Sequence, residues 1–149
     1  ESRDIRAVVD ATRDLLVNVL RYKPFLIKPN NHELSEIAGV KLTNDNEIVT
    51  AARMMQAKGA RNVLVSMAGD GALLLDEQGG VHRIGCPKGK VVNSVGAGDS
   101  MVAGFAAGYQ QSGGDYAAAL KLGTACGSAT AFSLVLATKA EIDKLLKTM

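Results

Sequence analysis

The sequence reads as an α/β protein with a mostly parallel sheet covered by helices on both faces. Three observations predict this. Short runs alternate with stretches of helical periodicity along most of the chain. Those runs are apolar throughout rather than alternately polar, as in strands buried on both faces. Polar or glycine-rich turns, namely Lys28-Pro29-Asn30, Ser66 to Gly71 and Asn93 to Gly98, follow strand candidates. In such folds sites lie beyond the carboxyl ends of the strands, so the three turns are expected to meet along one edge.

The elements follow in order. Ala7-Val8-Val9-Asp10 is an apolar run ending in a polar residue, a buried strand. Asp14 to Leu20 has helical spacing, with Leu15, Leu16, Val19 and Leu20 on one side and Thr12 or Asp14 as cap. Pro24 ends it, and Phe25-Leu26-Ile27 is the second strand. Pro29 forbids simple continuation as helix. Asn30 or Asn31 then caps a short helix from His32 to Ala38, closed by Gly39. Asp45 to Lys58 is a longer helix whose inward stripe is Ile48, Ala51, Ala52 and Met55, with Gly59 just beyond its end. Asn62 to Ser66 is the third strand, and Ala72–Leu75 and Val81–Ile84 flank a hairpin-like turn at Glu77-Gln78-Gly79-Gly80. Val91-Val92 enters the tight turn Gly96-Ala97-Gly98. From Asp99 the pattern is helical to about Gln111, with Met101, Val102, Phe105 and Tyr109 facing inward. Gly113-Gly114 breaks the chain, a helix runs from Asp115 toward Ser133, and another spans Lys139 to Lys147.

Composition narrows the function classes. The 149 residues are 47% apolar and 21% charged, with 16 Gly and 3 Pro, which excludes collagen, a disordered tail and a coiled coil. A chain of this length buries about 68–70% of its unfolded surface, enough for a core. No apolar run reaches the ~18 residues of a membrane span; the longest candidate, near Ala117–Leu136, is broken by Lys121 and by Gly, Ser and Thr. The net charge is +2 with no basic stripe, and 3 Tyr and 3 Phe are the only aromatics, so neither nucleic acid nor a membrane is an expected partner. The two cysteines, Cys86 and Cys126, sit in unrelated contexts, without CxxC or HExxH; reduced thiols in a cytoplasmic protein are expected rather than a zinc site. The chain begins Glu-Ser-Arg with no signal-peptide pattern, and is expected to be the C-terminal part of something longer.

Three segments could carry chemistry. In Asn93-Ser94-Val95-Gly96-Ala97-Gly98-Asp99 small residues lead straight into a helix, where outward, unpaired N–H groups at the positive end of the dipole make an anion site. A carboxylate there suits proton removal from a neighbouring hydroxyl, while the N–H groups stabilise a phosphoryl group in transfer. The bland alternative is a tight turn with Asp99 as a first-turn acid. Neither the Gly-x4-Gly-Lys-Ser/Thr phosphate loop nor the dinucleotide fingerprint fits: Val91 follows Gly89-Lys90, and Leu74 and Met101 stand where a third glycine belongs. In Ser66-Met67-Ala68-Gly69-Asp70-Gly71, glycines let a flat or charged ligand approach the backbone, unless they only make a turn. In Asn30-Asn31-His32-Glu33, Asn30 and Glu33 could hold water around hydrated Mg²⁺, or simply form a capping box.

Asn93 to Phe105, Asn-Ser-Val-Gly-Ala-Gly-Asp-Ser-Met-Val-Ala-Gly-Phe, resembles the C-terminal signature of the PfkB-type (ribokinase-like) sugar kinases. Phe25 to Leu34, Val65 to Ala72 and Gly127 to Phe132 resemble further family stretches, in the family's order and rough spacing, and together they span nearly the whole chain. The likeness implies a ribokinase-like three-layer α/β/α fold, with residues 1–149 its C-terminal, ATP-binding portion. It implies ATP and Mg²⁺ as cofactors and a sugar phosphate as partner substrate. The stretches look most like the branch that converts fructose 1-phosphate to the 1,6-bisphosphate, and those of tagatose-6-phosphate kinases are very similar. By resemblance Asp99 is the base, and Gly96, Ala97 and Gly98 form the anion hole for the γ-phosphate. Asn30 and Glu33 order metal and water, Lys28 lies beside the nucleotide phosphates, and Ser66, Gly69 and Gly71 line the nucleotide. The helix around Gly123 and Gly127 closes over the adenosine, although both could equally be helix-packing glycines. Relatives that open the signature with Asp-Thr differ from Asn93-Ser94 here, so a monovalent-cation site using that Asp does not carry over. The family's N-terminal half, with its sugar-binding acid and the lid that often forms a dimer surface, is expected to be absent, and the chain alone to turn over poorly. A non-catalytic nucleotide-binding fragment is the rival reading.

Smaller features have plain expectations. His82 and His32 are surface residues, Cys126 is a packed thiol, and Lys88 and Lys90 are exposed turn lysines.

Overall fold

The computed structural model describes residues 5–149, apart from the side chain of Arg13. Five strands, β1 (Val8–Val9), β2 (Leu26–Ile27), β3 (Asn62–Ser66), β4 (Ala72–Leu75) and β5 (Val81–Ile84), form one sheet in the order β1-β2-β3-β4-β5. The first three run parallel, with Val9 opposite Ile27 and Ile27 opposite Val63. Helices α1 (Arg13–Val19), α2 (Asn31–Ala38), α3 (Asp45–Ala57), α4 (Ala97–Gln111), α5 (Tyr116–Ala131) and α6 (Lys139–Leu146) complete the described chain. A sheet that is parallel through its first three strands, joined by helices, is the α/β architecture the sequence predicts. By internal contacts the chain divides into two compact units. One runs to Met67 and adds Leu73–Val81; the other is Ala68–Ala72 with His82–Met149.

In the first unit the apolar residues of β2 and β3 and Leu73–Leu75 of β4 are buried, as a sheet covered on both faces requires. The predicted stripe of α3, Ile48, Ala51, Ala52 and Met55, is buried with them. In α1 only part of the expected stripe turns inward. Leu16 and Leu20 are buried, whereas Leu15 is 66% exposed, because a neighbour on a helix lies about 100° round from Leu16. Thr12 is the N-cap of α1 but makes no side-chain cap bond, so the expected cap is positional only. Buried Asn62 ties the start of β3 to its surroundings: its Nδ2 donates to Phe25 O (2.7 Å) and its Oδ1 accepts from Glu77 N (2.8 Å). The turn after β4 is closed by Asp76, whose Oδ1 accepts from Gln78 N and Gly80 N.

The second unit is built on α4 and α5, which bury Met101, Phe105, Tyr116, Ala119, Leu120, Ala125 and Ala129. Helix α4 starts at Ala97, two residues before the expected start, because Gly96 supplies the left-handed turn (φ +79°) that lets Ala97 enter helix. Val91-Val92 lies in no strand, so the Asn93–Gly98 turn does not follow one as expected. His82 is half-buried with its ring 6.3 Å from that of Tyr116, not a freely solvated side chain. His32, Lys88 and Lys90 are exposed.

Candidate functional site

In the first unit, polar residues gather where the parallel strands end. Asp10 follows β1, Lys28 follows β2, and Ser66 closes β3. Backbone bonds hold these ends in register: Lys28 N donates to Val9 O (3.2 Å), Ser66 N to Pro29 O (3.1 Å), and Asn30 bridges Ser66 in the parallel sense. Lys28 is only 6% exposed, and its ammonium lies 3.3 Å from Asp10 Oδ2.

One turn further, Asn30 and Glu33 form a capping box at the start of α2. Asn30 Oδ1 accepts from Glu33 N (2.8 Å) and Glu33 Oε2 accepts from Asn30 N (2.8 Å). One oxygen of each side chain is thereby engaged, and Glu33 keeps Oε1 for other partners. Among the described residues no group of three or more His, Cys, Asp or Glu gathers to coordinate an ion directly. Asn30 Oδ1 and Glu33 Oε1 are oxygens of the kind that hold the waters of a hydrated Mg²⁺.

In the second unit, Ala68–Asp70 is a 3-10 turn closed by Gly71 N donating to Ala68 O (3.0 Å). Gly71 has φ +90°, and a Cβ there would collide with Ile84 O and lie 2.7 Å from Cys86 N, so the turn itself demands glycine. Gly69 has open space where a Cβ would stand, which leaves its backbone approachable.

The N-terminus of α4 differs from those of α2, α3, α5 and α6. Each of these has a side chain, Asn30, Asn44, Asp115 or Thr138, accepting first-turn N–H groups. In α6 the Thr138 backbone N–H and then its hydroxyl hold the Glu141 carboxyl below the usual carboxylate range. Gly96, the N-cap of α4, has no side chain to offer. Ala97 N reaches Ser94 O (3.2 Å), and among the described residues the N–H groups of Gly98 and Asp99 have no acceptor. Asp99 stands exposed in that same first turn. Orphan N–H groups, helix dipole and a solvent-facing carboxylate suit a ligand with anionic oxygens and a neighbouring hydroxyl.

This turn is held rigidly from behind. Val95 N donates to Asn93 Oδ1 (3.1 Å), Asn93 Nδ2 donates to Leu134 O (3.1 Å), and Thr130 Oγ1 donates to Ser100 Oγ (2.9 Å). Helix α5 packs directly on the first turns of α4: a Cβ on Gly127 would lie 3.0 Å from Ala97 O, and one on Gly123 2.9 Å from Met101 O. Gly123 and Gly127 thus serve the helix contact. Burial also pushes the Cys126 thiol, on the same helix, above its ordinary range.

Sequence reasoning passed over Asp10, the Ser100–Thr130 clamp and Thr124, whose buried hydroxyl has no hydrogen-bond partner among the described residues. Asp10 had a signal: it is the polar residue ending an apolar run, the position where sites of parallel sheets gather. Thr124 and Thr130 had none, being polar residues inside a helical run.

Residues 3–141 match the family model described as pfkB family carbohydrate kinase. The chain is 45% identical over 146 residues to a 1-phosphofructokinase of Bacillus subtilis, covering 98% of this chain and 48% of the relative. It is 38% identical over 141 residues to a D-tagatose-1-phosphate kinase of Bacillus licheniformis, covering 94% and 46%. The crystal structure of phosphofructokinase-2 from Escherichia coli in complex with substrates and products superposes with a TM-score of 0.86 at 28% identity, covering 95% of this chain and 47% of that one. The chain spans about half the length of these relatives.

Proposed function

The chain belongs to the pfkB family of carbohydrate kinases, and on that premise we propose that its protein transfers the γ-phosphoryl group of ATP to a hydroxyl of fructose 1-phosphate, giving fructose 1,6-bisphosphate. The observation that supports this most is the start of α4, where N–H groups without acceptors stand beside the exposed carboxylate of Asp99. In the second unit Asp99 takes the proton of the accepting hydroxyl. The new O–P bond forms as the bond to the departing ADP breaks. The N–H groups of Gly98 and Asp99 donate to the phosphoryl oxygens, over which charge is spread in transfer. Gly96 gives the turn its left-handed conformation and Ala97 opens the helix. In the first unit Lys28 offers a buried positive charge to nucleotide phosphates, and Asn30 and Glu33 hold waters of a hydrated Mg²⁺, which supplies neutralisation of phosphate charge. Ser66, Gly69 and Gly71 are assigned to the nucleotide through their backbone turn, and Gly123 and Gly127 to the helix that backs it.

The choice of sugar rests on the likeness to the Bacillus subtilis 1-phosphofructokinase. The D-tagatose-1-phosphate kinase at 38% identity supports a second reading, a tagatose phosphate. Steady-state assays of the full-length protein on fructose 1-phosphate and on tagatose phosphates separate the two, with the higher kcat/KM expected for fructose 1-phosphate. Asp99→Ala should lower kcat by about 10²–10⁴-fold, the scale of lost base catalysis, and leave ATP binding nearly unchanged. Near-normal kcat in that variant would remove Asp99 from the mechanism.

A further inference from the structure

We propose that Asp10 is a positioning residue for the phosphate-binding lysine: its carboxylate fixes the buried ammonium of Lys28 so that the remaining N–H donors meet anionic oxygen of the nucleotide. The inference rests on the nucleotide reading of the site and adds to it a residue and a role.

Both partners are placed by the parallel register. Val9 lies opposite Ile27, so the residues that follow them, Asp10 and Lys28, emerge side by side at the carboxyl edge of β1 and β2. The bond from Lys28 N to Val9 O (3.2 Å) locks that juxtaposition in the main chain. The Lys28 side chain is 8% exposed and that of Asp10 is 32% exposed, so the pair is a buried cation anchored by a carboxylate at the rim. An ammonium has three donors. Asp10 Oδ2 at 3.3 Å engages it from one side, and among the described residues no other acceptor serves it. Lysine is rarely buried unless its charge is paired, and burying an ammonium with unmet donors is costly, so an anionic ligand beside Asp10 would complete the shell. Asp10 contributes orientation: it restricts the four-carbon stem of Lys28 to one place before a ligand arrives, which reduces the ordering cost of binding.

The test is a double-mutant cycle in the full-length protein, with Mg²⁺–ATP as the probe, reading Kd by titration calorimetry and KM and kcat by assay. Lys28→Met should raise the Kd for ATP by roughly 10–100-fold, the scale of one lost charge-assisted hydrogen bond. Asp10→Asn should raise Kd and KM by about fivefold to tenfold, with kcat changed less than KM. In the Lys28→Met background, Asp10→Asn should add less than about twofold, because the group it positions is gone. Should Asp10→Asn fail to fold, Asp10→Glu replaces it, shifting the carboxylate by one methylene; the inference expects a raised Kd at an unchanged melting temperature. Equal loss from Asp10→Asn in both backgrounds, or a loss that saturating Mg²⁺ restores, overturns the proposal, since Asp10 would then act independently of Lys28 or on the metal. Wild-type ATP binding with no change in the Asp10 variants overturns it alone, whereas wild-type protein that binds no ATP overturns the nucleotide reading as well.

Discussion

At the residue scale, Gly96 and Gly98 sit two positions apart and do different things. Gly96 has φ +79°, where an L side chain is strained, and its missing Cβ leaves room only against the movable Leu136 side chain at 2.8 Å. Gly98 lies within α4 and is not among the glycines of positive φ, so its backbone conformation is one that L residues adopt. The two substitutions should therefore separate folding from binding. Gly96→Ala should lower unfolding stability by about 1–2 kcal/mol, the cost of a left-handed non-glycine residue, seen as a lower denaturant midpoint. Gly98→Val should leave that midpoint within about 0.5–1 kcal/mol, because it adds only the modest helix-propensity difference of a β-branched residue. It should nevertheless raise the KM for ATP by tenfold or more, by placing methyl groups before the orphan N–H groups. Unchanged ATP affinity and rate in Gly98→Val would mean that nothing anionic docks there.

At the element scale, the contact of α4 with α5 sets where that turn stands. Gly104 faces α5 so closely that a Cβ would lie 2.6 Å from Cys126 Sγ and 2.9 Å from Leu122 O, and Gly108 approaches Ala119 in the same way. Replacing glycine by alanine inside a helix gains about 1 kcal/mol of propensity. Overpacking a close contact costs about 1–3 kcal/mol, and here one obstacle is a main-chain carbonyl that cannot swing aside. Gly104→Ala should therefore be net destabilising in a denaturant melt, and Cys126→Ala in the same chain should restore only part of the loss, because the Cβ of residue 126 (2.8 Å) and Leu122 O remain. A net gain in stability from Gly104→Ala would show that the helices can separate freely. The helices themselves were legible from periodicity, as was the α3 stripe from Ile48 to Met55. The purpose of Gly104, Gly108, Gly123 and Gly127 was not: a small residue leaves the same trace in a sequence whether its neighbour is a helix or a ligand. Asn30 and Glu33 show the converse, since their spacing predicts the capping box that forms and is equally compatible with ordering water around a cation. Asp10 escaped notice because its partner Lys28 is eighteen positions away, and only the parallel register of β1 and β2 joins them.

At the scale of the whole molecule, Asp99 is the one group assigned to the sugar, as its proton acceptor; the other residues of the proposed reaction address phosphate, nucleotide or a hydrated cation. The relatives are about twice as long, and a sugar phosphate needs its own binding groups to be aligned for attack. Misalignment of reactants costs about 10²-fold or more for an error on the order of 1 Å. The 149-residue chain should therefore bind ATP and yet phosphorylate sugar poorly. ATP at about a hundred times its Kd stabilises a binding-competent fold by about 2.7 kcal/mol. For a chain of this size that corresponds to a rise in melting temperature of roughly 5–10 °C. Thermal melts of the chain with and without Mg²⁺–ATP should show that rise. Turnover of fructose 1-phosphate by the chain alone should fall at least about 10²-fold below that of the full-length protein. Turnover at the full-length rate would show that these residues already hold the sugar, and sugar-binding groups would then have to be sought among them. A melt unmoved by ATP, with the full-length protein binding it normally, would place essential nucleotide contacts outside this chain and reduce Lys28 and the start of α4 to supporting parts.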